Sequence, residues 1–238
     1  MDSILLLGFL VGMGHALEAD HLAAVSAMLT NKSSPKRLAV MGMTWGIGHT
    51  LTLLLVCSFV IFFGFVLTNK VAAVLEFSVG VLLVALGINV LWRMHRDKVH
   101  FHAHDHGDGK VHVHAHSHRT SVLPHGDDPH DHKHVNWLTL KPLFVGLVHG
   151  AAGSAALLAL ALAATHEPWT AVRYIVLFGV GSIFGMAALT CVAAWPLKLA
   201  QQCGRWAHRA LFVAIGVLTI GLGVTVMLET GAFAWGLS

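Results

Sequence analysis

Two histidines and two carboxylates lie within seven residues near the start of the chain, in an otherwise apolar segment. Ionisable side chains at membrane depth are energetically costly, so they occur mainly where they face a cavity, a partner or a bound ion. Imidazole and carboxylate groups together suit a first-row divalent metal ion. The pattern therefore predicts a metal-ion pathway through a membrane. The segment reads His15-Ala16-Leu17-Glu18-Ala19-Asp20-His21.

The composition is that of a polytopic membrane protein. Of the 238 residues, 55% are hydrophobic and 11% charged, whereas soluble domains average about 25% charged residues. The three cysteines contain no CxxC pair, which argues against a disulfide framework. The N-terminus lacks a basic region and a small-residue cleavage site, so we predict that the first apolar segment is retained. The net charge of +3 reflects basic residues between apolar segments and gives no indication of nucleic-acid binding.

Six apolar segments are long enough to cross a bilayer, which takes about 20 helical residues. We therefore predict an all-α, multi-pass protein of the cytoplasmic membrane. Of the 15 Lys and Arg residues, 13 fall in the connections after the first, third and fifth segments. The positive-inside rule places these connections in the cytoplasm and both termini outside. The predicted spans are 3–29, 38–67, 71–93, 140–165, 171–196 and 208–230.

The two halves of the chain resemble each other, which predicts a duplicated unit of three helices. Each unit holds an odd number of spans, so the second crosses the membrane in the opposite sense, as in the 3+3 inverted repeats of many secondary transporters. Substrate sites in such folds lie near the midplane, where the repeats meet. The predicted parts are a first repeat at 1–93, a connection at 94–137 and a second repeat at 138–238. The matching positions are His15 with His149 at an offset of 134 residues, Gly42 and Gly48 with Gly179 and Gly185 at 137, and Gly80 and Gly87 with Gly216 and Gly223 at 136.

A regular helix does not bring the first motif together on one face. At 3.6 residues per turn, Asp20 lies about 140° and His21 about 240° from His15. Either the pathway is lined around much of this helix or the backbone departs from regular geometry. Three glycines supply sequence for a break, namely Gly8, Gly12 and Gly14.

Two further histidines, His49 and His149, lie in other predicted spans. We expect them to join the first motif in one metal site. Two alternatives stay open, since a lone membrane histidine can hydrogen-bond a neighbouring helix and an Asp-His pair can clamp two helices. Glu18 is either a further ligand or a protonated spectator. The candidate metal-binding residues are His15, Glu18, Asp20, His21, His49 and His149.

The connection between the two halves holds 13 of the 19 histidines, between residues 95 and 134. Its low complexity and polarity predict a mobile loop rather than a packed domain. Many neutral imidazoles in a flexible segment would bind Ni²⁺, Co²⁺, Zn²⁺ or Cu²⁺ with little selectivity. We predict a cytoplasmic metal buffer, collector or sensor, and the alternative is a hydrophilic spacer. The candidate buffering residues are His100, His102, His104, His106, His112, His114, His116 and His118.

These motifs resemble those of the nickel/cobalt transporter family. The resemblance rests on the HxxxxDH motif formed by His15, Asp20 and His21, on the Gly48-His49-Thr50 element and on the histidine-rich loop. It implies permeation of Ni²⁺ or Co²⁺, with the first motif essential for recognition of the ion. Eight-span nickel permeases carry an acidic motif at the fourth span. This chain has 148–154, VHGAAGS, at that place and looks closer there to the urease-accessory-like transmembrane branch.

The predicted function is secondary transport of Ni²⁺, Co²⁺ or both across the cytoplasmic membrane, with both directions open and uptake slightly favoured over export. The P-loop pattern GxxxxGK[ST] is absent, so energy would come from an ion gradient, the membrane potential or intracellular trapping. The expected partners are the divalent ion, the lipid bilayer and a cytoplasmic metallochaperone, with no resident cofactor and no catalytic residue. One alternative is a metal-sensing or accessory membrane protein. The other is a membrane-embedded metalloenzyme, for which the HExxH signature is missing.

Overall fold

The computed structural model describes residues 2–29, 34–64, 67–96, 100–104, 112–116, 137–165 and 167–235. Within these ranges the chain is helical apart from one short two-stranded sheet. The elements are α1 (Asp2–His15), α2 (Ala19–Met28), α3 (Pro35–Phe63), α4 (Asn69–Arg96), β1 (His100–His104), β2 (His112–His116), α5 (Trp137–Ala164), α6 (Pro168–Gln202) and α7 (Arg205–Trp235).

Five helices, α3 to α7, are long and apolar enough to cross a membrane. They correspond to the last five predicted spans. The segment predicted as the first span, 3–29, is divided between the shorter helices α1 and α2. The multi-pass helical architecture is therefore confirmed.

The first span breaks at residues 16–18, between α1 and α2. The last turn of α1 tightens, since the backbone N–H of Leu17 donates to the carbonyl of Gly14 at 2.9 Å. Glu18 is then extended, with φ −62° and ψ 151°, and α2 begins at Ala19. Of the two geometries that the sequence allows, the structure has the irregular one.

The expectation that glycines would supply this break is wrong for Gly8 and Gly12. Both lie inside α1, where they allow close packing against α6. A methyl group on Gly8 would lie 3.0 Å from the Tyr174 ring, and one on Gly12 would overlap the carbonyl of Phe178. Small residues permit this approach of two helix backbones in a membrane.

Large apolar side chains cover the outside of the bundle. Phe63, Ile88, Phe144, Phe184 and Leu228 are exposed examples, one from each long helix. A soluble monomer rarely exposes so continuous an apolar surface. In contrast, three histidines are among the buried residues. Apolar groups outside and imidazoles inside are the arrangement expected of a membrane protein with a polar site at its centre.

The helices of the two halves pack against each other. The closest associations are α1 with α6, α3 with α5 and α6, and α4 with α7. Glycines face each other across the last pair. A methyl group on Gly80 would lie 2.8 Å from the carbonyl oxygen of Gly223, and one on Gly223 would lie 2.6 Å from that of Gly80.

The histidine-rich connection contains a β-hairpin, formed by 100–104 and 112–116, and the predicted mobility of this connection stays a prediction. The two strands pair antiparallel, with His100 opposite His116 and His104 opposite His112. In both strands histidine alternates with a less polar residue, and this period of two is a strand signal. Opposed and alternate positions share a face, which places the six histidine positions of the hairpin on one face. Two of the candidate buffering residues, His106 and His118, lie outside the described residues.

The contact between α4 and α7 gives a testable prediction about stability. We expect Gly223→Ala to lower the free energy of unfolding by about 1–3 kcal/mol, because the added methyl group has no room. Gly221→Ala is the matched control on the same helix, since a methyl group there meets nothing within 4 Å. The measurement is the midpoint of thermal unfolding in one detergent, and equal midpoints for the two variants would contradict the prediction.

Candidate metal centre

Four imidazole rings meet inside the bundle. They come from the end of α1 (His15), the first turn of α2 (His21), the middle of α3 (His49) and the middle of α5 (His149). The ring centroid of His21 lies 4.7 Å from that of His15 and 5.3 Å from those of His49 and His149. The centroids of His15 and His49 are 5.1 Å apart. Sequence positions up to 134 residues apart thus contribute to one cluster.

Glycines on α5 bring His49 and His149 to this place. A methyl group on Gly146 would overlap the backbone carbonyl of Trp45, and one on Gly150 would overlap that of His49. The backbones of α3 and α5 therefore touch beside the cluster. The break in the first span brings the other two histidines to the cluster, because it turns both His15 and His21 toward α3.

Three of the rings are held by an acceptor at Nδ1. The acceptor is Glu18 Oε1 for His15 at 2.6 Å, Asp20 Oδ1 for His21 at 3.0 Å and the Val145 carbonyl for His149 at 3.1 Å. A carbonyl or an ionised carboxylate oxygen can only accept, so each Nδ1 carries the hydrogen and donates it. In the neutral ring, Nε2 then keeps its lone pair and is free to bind a metal ion.

The nitrogen atoms on the inner side of the cluster are buried and lack a hydrogen-bond partner among the described residues. This applies to Nε2 of His15, His21 and His149 and to both ring nitrogens of His49. His21 is 2% exposed and His49 is 0% exposed. Buried polar atoms are nearly always paired, so exceptions point to a water molecule, an ion or a functional role.

Two overlapping sets of side chains have the spacing of a metal site. The ligand atoms of His15, His21 and His49 lie within 4.8 Å of one another, and so do those of Glu18, Asp20 and His21. Nitrogen ligands bind first-row ions at about 2.0–2.1 Å, so small side-chain rotations would close the histidine set around one ion. The imidazoles lie inside and the carboxylates toward the surface.

Asp20 lies beside the inner cluster. One oxygen, Oδ1, accepts from the backbone N–H of His21 at 2.8 Å as well as from its ring. The other oxygen, Oδ2, is 4.0 Å from Nε2 of His149. The carboxylate lies in the first turn of α2, where the helix dipole favours a negative charge.

The structure thus brings all six predicted site residues into one cluster, and their binding of metal stays a prediction. Sequence reasoning missed Trp45, which is fully buried and whose ring lies 5.3 Å from that of His21 and 6.1 Å from that of His149. Its indole nitrogen has no partner in the described part of the chain. A signal was present, because Trp45 precedes His49 by four residues and such pairs share a helix face.

The chain is similar to the urease accessory protein UreH of Bacillus sp. (strain TB-90), with 32% identity over 230 residues. The alignment covers 96% of this chain and 92% of the relative. No family model matches the chain, and no solved structure matches it. The relative is named for an accessory role rather than for catalysis, which gives no support to the metalloenzyme alternative.

The geometry predicts that His21→Ala weakens Co²⁺ binding at least about 10-fold, because even loss of a residue that only supports a ligand costs 10–100-fold in affinity. The measurement is visible absorption of Co²⁺ bound to the purified full-length chain, with the histidines between residues 95 and 134 replaced by serine. His208→Ala on α7 is the control, since that ring packs against Phe212 outside the cluster. Acidification should weaken binding in every variant that binds, because protons compete for Nε2. Equal affinity of His21→Ala and wild type would contradict the prediction.

Proposed function

The chain belongs to the family of the urease accessory protein UreH, and from this premise we propose that it is a secondary transporter that carries Ni²⁺ or Co²⁺ through the buried histidine cluster. Membership confirms the resemblance to the urease-accessory-like branch of the nickel/cobalt transporter family. The chain is a multi-pass membrane protein. The identity of the ion, the route through the cluster and the direction of transport belong to the proposal.

The observation that carries the proposal is the set of buried Nε2 atoms without a hydrogen-bond partner among the described residues. Leaving a buried acceptor unpaired costs about 1–3 kcal/mol, and a metal ion that takes the lone pairs would recover this cost. Imidazole ligands suit Ni²⁺, Co²⁺, Zn²⁺ and Cu²⁺, whereas Mg²⁺ and Ca²⁺ prefer oxygen. The inner cluster therefore supports a transition-metal ion as the substrate.

Trp45 supports the presence of water in the cluster. An indole N–H donates only, so it cannot bind the metal directly. It is buried without a partner in the described ranges, and its ring contacts two of the imidazoles. A buried water molecule, whose oxygen accepts, would supply the missing acceptor.

Helix contacts support the inverted repeat. A pseudo-twofold axis would relate α1 to α5, α3 to α6 and α4 to α7. Each contact between two helices would then have a counterpart between the two related helices, and the glycine contacts occur in such pairs. The contact of Gly80 with Gly223 corresponds to that of Gly216 with Gly87. Two further pairs of contacts correspond in the same way. The contact of Gly12 with Phe178 corresponds to that of Gly146 with Trp45, and the contact of Gly181 with Phe9 corresponds to that of Gly48 with Leu143.

These contacts favour a different register for the second helix of each repeat than the sequence comparison gave. They align Gly46 and Gly48 with Gly179 and Gly181, at an offset of 133 rather than 137 residues. The two registers differ by four residues, which is about one helical turn. The spacing of the glycines alone therefore does not distinguish between them. In the contact-based register His149 is the counterpart of His15.

For transport we propose that the two repeats rock about the cluster and expose it to each side of the membrane in turn. The positive-inside rule places the histidine-rich connection in the cytoplasm, where it would capture ions that arrive by uptake. A cytoplasmic metallochaperone would then receive them. A proton gradient, the membrane potential or metal trapping would supply the energy.

Cellular metal content tests the function. We expect cells that express the chain to gain Ni²⁺ or Co²⁺ after brief exposure, and Asp20→Ala at equal membrane abundance to lose this gain, because His21 loses its acceptor. Glu229→Ala, which removes an exposed carboxylate from α7, is the control and should transport normally. Lower metal content with wild type would mean export, and identical content in cells with and without the chain would contradict the proposal.

Replacing residues 97–134 with a Gly/Ser linker of equal length separates transport from an accessory or sensory role. The accessory alternative has some support in the hairpin, which places six histidine positions on one face. We expect transport by this variant to fall less than about 10-fold, because the inner cluster lies elsewhere, and to be less affected than in Asp20→Ala. Abolished function with the linker, together with normal function of Asp20→Ala, would favour the accessory role. The measurement is initial uptake of either ion at matched expression.

A further inference from the structure

Glu18 makes an unusual pair of bonds with His15 across the break. Its backbone N–H donates to the His15 carbonyl at 3.1 Å, and its side-chain Oε1 lies 2.6 Å from His15 Nδ1. Glu18 occupies the cap position of α2, where a side chain ordinarily accepts from a free backbone N–H of the first turn. It makes no such capping bond. The carboxylate is therefore directed at the imidazole instead of at its own helix.

The bond to Glu18 sets the orientation of the His15 ring. With the hydrogen on Nδ1, the lone pair is on Nε2, which is buried and has no partner in the part of the chain that the structure describes. This Nε2 atom lies on the inner side, since a methyl group on Gly153 of α5 would be 3.9 Å both from it and from Cε1 of His49. His15 is the last residue of α1, so the carboxylate restrains a ring at a helix end.

The same arrangement occurs at two other rings of the cluster. His21 and His149 also have an acceptor at Nδ1 and a free Nε2. Histidines that bind metal commonly donate their other N–H to a carboxylate or backbone carbonyl, which fixes the tautomer and the ring orientation. Glu18 is the most exposed of these acceptors, with 55% of its side chain accessible against 29% for Asp20.

We infer that Glu18 is a positioning residue, which holds His15 with Nε2 toward the transported ion and is not itself a ligand. The inference rests on the proposed function and deepens it. It separates the six predicted site residues by role, because Glu18 Oε1 binds the Nδ1 side of the His15 ring, whereas the ion would bind at Nε2.

Two substitutions distinguish positioning from ligation. Glu18→Gln keeps an oxygen that can accept from Nδ1 but loses the charge of a metal-binding carboxylate, whereas Glu18→Ala removes the acceptor. Positioning predicts that Co²⁺ affinity changes less than about 3-fold in Glu18→Gln and falls about 10–100-fold in Glu18→Ala. Ligation predicts similar large losses in both. Glu76→Ala, which removes an exposed carboxylate from α4, is the control.

The assay uses the full-length chain in detergent, with the histidines between residues 95 and 134 replaced by serine. X-ray absorption of bound Ni²⁺ counts the imidazole ligands, a readout that a purely structural role of Glu18 would not change. We expect wild type and Glu18→Gln to show the same number of imidazoles and Glu18→Ala to show one fewer. If Glu18→Ala does not fold, the affinity and spectrum of Glu18→Gln still decide between positioning and ligation.

The outcomes separate this inference from the proposed function. Loss of affinity in Glu18→Gln together with loss of an oxygen ligand would overturn positioning, and so would wild-type affinity in Glu18→Ala. In both cases transport through the histidine cluster would stand. Wild-type protein that binds neither Ni²⁺ nor Co²⁺ through imidazole would overturn the proposed function and this inference together.

Discussion

Imidazole nitrogens without hydrogen-bond partners lie inside an apolar bundle. This arrangement is energetically unfavourable, and the rest of the structure must compensate for its cost. Within the described residues, five ring nitrogens of the cluster lack a hydrogen-bond partner. At about 1–3 kcal/mol for each unpaired buried group, their total cost is comparable with the whole stability of a typical domain. The bundle must therefore gain stability elsewhere, and an ion bound to the cluster would remove much of the cost.

Close packing of helix backbones is one source of that stability. Gly12 and Gly181 bring α1 and α6 together, while Gly146 and Gly150 bring α5 against α3. In lipid the hydrophobic effect contributes little to helix association, so van der Waals contact between backbones carries much of it. The same glycines also decide the position of the site, because the contact of α3 with α5 is what places His49 beside His149.

The sequence predicts much of the architecture because bilayer thickness is a strong constraint. Hydropathy alone locates α3 to α7, and the cost of ionisable groups in lipid singles out His15, Asp20 and His21. The break is harder to place. Glycine content suggests it before residue 15, yet it occurs at 16–18, where the chain has no glycine. Glycine serves helix packing as well as helix breaking, and composition does not distinguish these uses.

Tertiary contacts decide the remaining features. The role of Trp45 depends on which rings it meets, and these come from α2 and α5. The orientations of His15, His21 and His149 depend on their acceptors, which sequence spacing does not specify. The kind of acceptor differs between His149 and the two histidines of the first motif. The backbone of α5, a continuous helix, holds His149, whereas side chains at a break hold His15 and His21. A change in the break would therefore move His15 and His21 relative to His49 and His149, which lie in the middle of the continuous helices α3 and α5.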